Sequence, residues 1–391
     1  MKKLFDDISR DFLGPAGHNE ETFHYYQRSA RKDISTIRDK LNDWFIAYPD
    51  NEQFELSRRF KKDFDAAFYE LYLYVLFKNL GFKIEIHPTV KDSAKRPDFL
   101  IRKDDIEIYV EAKVVYDQSS EESAVKRKVS EFYDQLDKIR CPGFLLYLHT
   151  LNFKTDKQPS SKKAVEYIEE EVSKLDPRSL EEKLNHSFNT RDLPVIEFEN
   201  HEVHIIVKPM PMSETAREKE SNMEIEDKRA IGMYPVETIL GGGRNSLKSA
   251  INQKAKRYGE LDKPFIICLN SLASKGTIGW NAESAVWGQF AFSWSVDPDN
   301  RNERLVRNKD GVFLDHKGPR LKNVSGVFIS RVSPYTIPSP EYHLFQNPFA
   351  YFKIEFSTLM INMQKIEDGK IIVMEGQRFE DIIGVKEDWL D

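Results

Sequence analysis

Residues 96–113, RPDFLIRKDDIEIYVEAK, constrain this chain more tightly than any other stretch. They read as two short strands around a turn at Asp104-Asp105. In an antiparallel pair, residues equidistant from the turn face each other, so Lys103 pairs with Ile106 and Phe99 with Val110. The same count sets Asp98 opposite Glu111. Directly opposed side chains have Cβ atoms roughly 4.5–5.5 Å apart, so two carboxylates meet at one place. Strand alternation puts Lys113 on the face of Glu111, while Val110, Ala112 and Val114 point the other way. Opposed acids repel unless something cationic sits between them, and a divalent metal meets that need.

The flanking sequence supplies the frame. Residues 64–77 (FDAAFYELYLYVLF) are almost wholly apolar at helical length, and Gly81 follows as a C-terminal cap. Glu70 is the one charged residue between Ala66 and Phe77, and its helical neighbours Ala66, Ala67, Leu73 and Tyr74 put it on an apolar face. An ionised carboxylate there is costly unless paired or bound to metal; an acid at the edge of a buried stripe, reaching for solvent, is the plainer alternative. Phe82, Ile84, Ile86, Pro88 and Val90 then alternate with polar residues as a half-buried strand. A charged helix over residues 121–139 and an apolar strand over 143–148 come after the hairpin. The expected core is thus α-β-β-β-α-β, a mixed central sheet flanked by helices, in an α/β protein.

Pro97-Asp98 followed by Glu111-Ala112-Lys113, in that order of elements, resembles the signature of the PD-(D/E)xK nuclease superfamily with its restriction-endonuclease-like core. The likeness covers residues 55–150. It implies a Mg²⁺-dependent endonuclease, with Mn²⁺ able to substitute, that hydrolyses phosphodiester bonds in a restriction, defence or repair role, with DNA favoured as substrate and RNA left open. It further implies that Asp98, Glu111 and the Ala112 carbonyl hold the metal and that Glu70 matches the acid that the preceding helix often adds. Lys113 is then the lysine that orients or helps deprotonate the attacking water. A homodimer is a common assembly for such enzymes. Two other readings stay open: a catalytically silent nucleic-acid-binding or regulatory module on the same fold, and an unrelated interaction protein in which the two acids are a surface pair.

The rest of the chain bounds the answer more loosely. Its 391 residues divide, on pattern, into an N-terminal helical segment (1–54), the core (55–152), an insertion (153–240), a helix and strand extending the core sheet (241–275) and a C-terminal α+β extension (276–391). A net charge of −6 argues against a simple basic coating protein, so nucleic-acid affinity has to come from local cations. Lys95 and Arg96, just before Asp98, are placed to steer a phosphate backbone, or form a solvated basic turn. Arg244, Lys248 and Lys256 belong to a run (residues 244–257) with five basic residues and no acid. That run forms a helix over 246–258 entered through Gly241-Gly242-Gly243, which either cradles phosphate at the helix N-terminus or links flexibly to a surface helix. Residues 301–322 are basic as well. Trp280, Trp287, Phe290, Phe292 and Trp294 cluster as core or as a base-stacking platform. His87 reads as a strand residue, and the DPDN at 297–300 as a turn. Two cysteines, Cys141 and Cys268, make no disulfide framework or metal spacing, and no stretch reads as a signal peptide or membrane span. A cytoplasmic protein with no membrane partner is expected.

Overall fold

A computed structural model describes residues 3–91, 93–116, 120–155, 157–184, 189–221, 228–235, 243–272, 278–293, 304–368 and 370–391. Four helices open the chain: α1 (Thr22–Arg28), α2 (Lys32–Ile46), α3 (Asp50–Lys62) and α4 (Phe64–Asn79). Strands β1 (Lys83–Ile86), β2 (Phe99–Lys103) and β3 (Ile106–Val115) follow, then α5 (Ser120–Leu136), β4 (Phe144–Phe153), α6 (Lys162–Ser173) and α7 (Pro177–Leu184). Next come β5 (Ile196–Glu199), β6 (Val203–Pro211), α8 (Glu214–Ser221), β7 (Ile231–Met233), α9 (Gly243–Ala255) and β8 (Phe265–Ser271). The C-terminal part contains α10 (Ile278–Trp287), β9 (Phe290–Ser293), β10 (Arg304–Arg307), β11 (Leu314–Asp315), β12 (Gly318–Pro319), β13 (Gly326–Arg331) and β14 (Glu341–Gln346). It closes with α11 (Phe356–Leu359), β15 (Met363–Glu367), β16 (Lys370–Met374) and α12 (Phe379–Ile383).

The chain forms two compact units, residues 1–7, 36–118 and 239–391 in one and 8–35 and 119–238 in the other. The first is built on an eight-stranded mixed sheet in the order β1-β2-β3-β8-β13-β14-β15-β16. β2 runs antiparallel to its neighbours β1 and β3; β3, β8 and β13 run parallel, and β13 and β14 are antiparallel. β8 is buried at every residue, as a strand covered on both faces must be. The face carrying Tyr109 and Val115 packs on Leu247, Ala250 and Ile251 of α9 and Ala282 and Ala285 of α10. The opposite face meets α4, where Ser330 Oγ donates to Tyr69 Oη at 3.1 Å.

α4 is buried nearly all round, which explains its unbroken apolar run. Asp63 caps its first turn by accepting from Ala66 N at 3.2 Å. Gly81, at φ +88°, takes the chain out of the helix. The β2–β3 hairpin has the predicted register, Phe99 opposite Val110 and Lys103 opposite Ile106. Asp104 sits in its turn at φ +52°, a conformation that Asp tolerates better than most residues.

The second unit holds a four-stranded sheet, β5-β6-β4-β7, covered by Phe132, Leu136, Ala164, Ile168 and Val172 from α5 and α6. Two sequence expectations are corrected here. The apolar strand expected to complete the core sheet is β4, and it belongs to this second sheet. The strand that lies beside β3 is β8, delivered by α9. The insertion therefore begins near residue 119 instead of 153, and it recruits residues 8–35 from the expected N-terminal segment. His18 fastens that segment: its Nε2 lies 2.8 Å from Tyr234 Oη and 3.1 Å from Asp137 Oδ2, and Arg229 Nε meets the same Asp137 oxygen at 3.0 Å. Among the described residues, no helix is long and apolar enough to cross a membrane.

Candidate active site

The site forms where β2 ends short of β3. Tyr109 N donates to Pro264 O and Leu272 N donates to Val115 O, so the odd-numbered residues of β3 use their backbone groups toward β8. By alternation, the N–H and C=O of Ala112 point to the opposite edge. The β2 ladder stops at Phe99, and the Asp98 carboxylate takes the next place by accepting from Ala112 N at 2.6 Å. The Ala112 carbonyl thus shares an edge with the Asp98 side chain. Asp98 is half-buried, and its carboxyl is pushed up to about 7 by burial, then by the charges of Glu111 and Glu70.

Glu111 is 1% exposed, and α9 with the turn behind it meets both of its oxygens. Lys254 Nζ donates to Oε1, Arg257 Nη1 donates to the same oxygen at 3.2 Å, and the Tyr258 hydroxyl donates to Oε2. Burial and the Glu111 charge push the Tyr258 hydroxyl well above its ordinary range. Lys113 shares the face of Glu111, and its Nζ donates to Gln253 Oε1 at 2.6 Å. Burial and the nearby cations Lys254 and Arg257 lower the Lys113 ammonium from its usual range.

Glu70 arrives from α4 on the other face of the sheet and is 4% exposed. Arg59 of α3 holds it with two guanidinium nitrogens, Nη1 on Oε2 and Nη2 on Oε1 at 2.7 Å, and the Tyr48 hydroxyl adds a bond of 3.0 Å. A cavity of about 370 Å³ opens here, lined by Glu70, Asp98 and Lys113 and by Arg58, Arg59 and Lys62 from the last turn of α3.

Asp98, Glu111, Lys113 and Ala112 therefore gather at one end of the strands. Glu70 contributes to their field, with both of its oxygens already engaged. Lys95 and Arg96 are exposed, and the Arg96 carbonyl oxygen lies 3.1 Å from the Tyr258 hydroxyl. Arg244 and Lys248 have a different setting from the expected phosphate stripe: Arg244 pairs with Asp310 at 2.7 Å and Lys248 Nζ donates to the Asp310 carbonyl at 2.5 Å. Their placement on α9 turns them toward the Asp310 loop. Lys256 is exposed beyond the helix end, which falls at Ala255 and not at 258. Gly241, Gly242, Trp294 and residues 297–300 lie outside the described residues. Trp287 is core, its indole N–H donating to Gln364 Oε1 at 3.1 Å, whereas Trp280 and Phe292 are exposed.

Sequence reading missed Lys254, Arg257, Tyr258 and Arg59. One signal was available. Lys254 falls on the stripe of Leu247, Ala250 and Ile251 that packs against the sheet, and a lysine there demands a carboxylate.

The donor chemistry fits a hard divalent cation. Asp98, Glu111 and the Ala112 carbonyl offer oxygen only, and the Glu111 and Glu70 charges still raise the Asp98 carboxyl although Lys254, Arg257 and Arg59 pair with those acids. Among the described residues, the one trio of metal-ligating side chains with ligand atoms within 4.8 Å of one another is Glu197, Glu199 and His204. It is mostly exposed, with Glu199 paired to Lys154 and Glu197 to His204, so it carries no metal argument. Compared with protein-family models, curated proteins and solved structures, the chain matches none. Fold and site together define a mixed α/β protein with an acid-acid-lysine cluster at the open end of a strand pair.

Proposed function

We propose that the chain is a metal-dependent nuclease of PD-(D/E)xK type that hydrolyses phosphodiester bonds, with DNA as its substrate. The carrying observation is that Asp98, bound to Ala112 N, and Lys113 line a cavity together with Arg58, Arg59 and Lys62, while buried Glu111 lies close enough to raise the Asp98 carboxyl. The order α4-β1-β2-β3-α9-β8, with β3 and β8 parallel, supports a restriction-endonuclease-like core into which the second unit is inserted. Asp98, Glu111 and the Ala112 carbonyl would hold Mg²⁺ or Mn²⁺. When bound, the ion supplies Lewis-acid neutralisation of the scissile phosphate and acidifies the attacking water. Lys113, whose proton is held less tightly than an ordinary lysine's, positions that water and hydrogen-bonds a phosphate oxygen. Arg58 and Lys62 bind the phosphate backbone at the rim, and the Arg59–Glu70 pair braces α3 against α4.

One observation favours a second reading, a nucleic-acid-binding module without cleavage: three α9-side residues already satisfy Glu111. A single assay decides between them. Supercoiled plasmid, single-stranded circular DNA and RNA are incubated with Mg²⁺ or Mn²⁺ against EDTA, wild type beside Lys113→Ala. The nuclease reading expects metal-dependent cutting that falls by roughly 10²-fold or more in the variant. Binding without cutting by wild type on all three substrates establishes the module.

A further inference from the structure

The Glu111 carboxylate is as deeply buried as any acid in the described chain, yet a cation already sits on it. Lys254 comes from the packed face of α9, its side chain is 13% exposed, and its ammonium donates to Glu111 Oε1. Arg257 reaches the same oxygen from a more exposed position, at 3.2 Å. Tyr258 closes the other oxygen. Gln253, one residue before Lys254, meets Lys113. The end of α9 thus grips both halves of the acid-x-Lys motif.

A buried carboxylate is strongly penalised when unpaired, so the metal-free protein needs such a partner. Tyr258 holds Oε2, so a divalent cation ligated by Glu111 would take Oε1, where the Lys254 ammonium and the Arg257 guanidinium already sit, and a further doubly charged neighbour is repelled by both. We propose that Lys254 is a resident counter-cation of the site: it holds Glu111 in the metal-free protein, and divalent metal binds by displacing it. This inference rests on the reading of Asp98 and Glu111 as cation ligands. Metal affinity is accordingly set by competition with an internal lysine as well as by the acids. Tyr258, on the other oxygen, secures the carboxylate's orientation throughout.

The test is Mn²⁺ binding by the full chain without substrate, followed by loss of the free-ion EPR signal. Lys254→Met should bind Mn²⁺ about tenfold more tightly than wild type or better, and Lys254→Arg should stay near wild type. Metal-free Lys254→Met should melt below wild type, with saturating Mn²⁺ restoring more stability to it than to wild type. Wild-type protein supplies a check that needs no substitution: acetylation of Lys254, read by mass spectrometry, should rise when Mn²⁺ is added. Unchanged or weaker Mn²⁺ binding by Lys254→Met, or Lys254 protection unaltered by bound metal, overturns the proposal and leaves Lys254 a structural partner. Failure of wild type and all variants to bind Mn²⁺ at millimolar concentration overturns the metal-site reading itself. The two failures are therefore distinct.

Discussion

Asp98 is the residue whose environment makes the sharpest demand. Its carboxyl is pushed up to about 7 in the folded chain, against about 3.9 in an unfolded one. Between those values the folded state binds the extra proton. This group's contribution is therefore fully present below about pH 4 and is lost as pH rises through 7, at up to about 1.4 kcal/mol per pH unit. Asp98→Asn keeps an acceptor for Ala112 N and removes the charge. In EDTA, the melting temperature of that variant should exceed wild type at pH 8 and approach it at pH 4.5. A variant that melts lower at pH 8 would mean that Asp98 is chiefly a backbone acceptor. The Arg59–Glu70 pair makes the opposite demand. Removing the cation strands a buried acid, so Arg59→Met should cost about 3–5 kcal/mol in urea melts, while Arg59→Met with Glu70→Leu should recover much of that loss.

Among elements, the β2–β3 hairpin was the most legible, because its register depends on a two-residue turn and on alternation within ten residues of it. The faces of Glu111 and Lys113 follow from the same local rule. α9 was half legible. Its packed stripe is visible in the sequence, but the helix ends three residues earlier than the pattern predicts, and two of the three cations expected to contact phosphate, Arg244 and Lys248, lie on the side that meets Asp310. Helical spacing groups residues by face; it does not name what each face meets. The antiparallel pair β9–β10 adds a prediction that only the tertiary structure permits. Gly288, at φ +99°, lies where a Cβ would come within 2.0 Å of Asn308 O. Gly288→Ala should therefore destabilise the chain by about 1–3 kcal/mol or more, from backbone strain with the clash added. A melting temperature within a degree of wild type would show that this turn can relax.

At the scale of the whole molecule, the two units have separate sheets and separate cores. Calorimetry should then give a van't Hoff enthalpy below the calorimetric one. Ile205→Ala, at a fully buried position of β6, should lower one transition by about 2–5 kcal/mol and leave the Mn²⁺-induced shift of the other intact. A single two-state transition moved as a whole would show the units to be thermodynamically one. The amino-acid sequence alone determined what is local: the apolar α4, the hairpin register, and the gathering of Asp98, Glu111 and Lys113 at one strand end. Tertiary structure decided which sheet each apolar strand entered: β4 and β8 both begin as apolar runs, yet β8 is covered on both faces and β4 alternates between buried and more exposed positions. It also decided that Lys254 and Tyr258 hold Glu111, because 143 residues separate that lysine from its acid and only long-range packing brings them together.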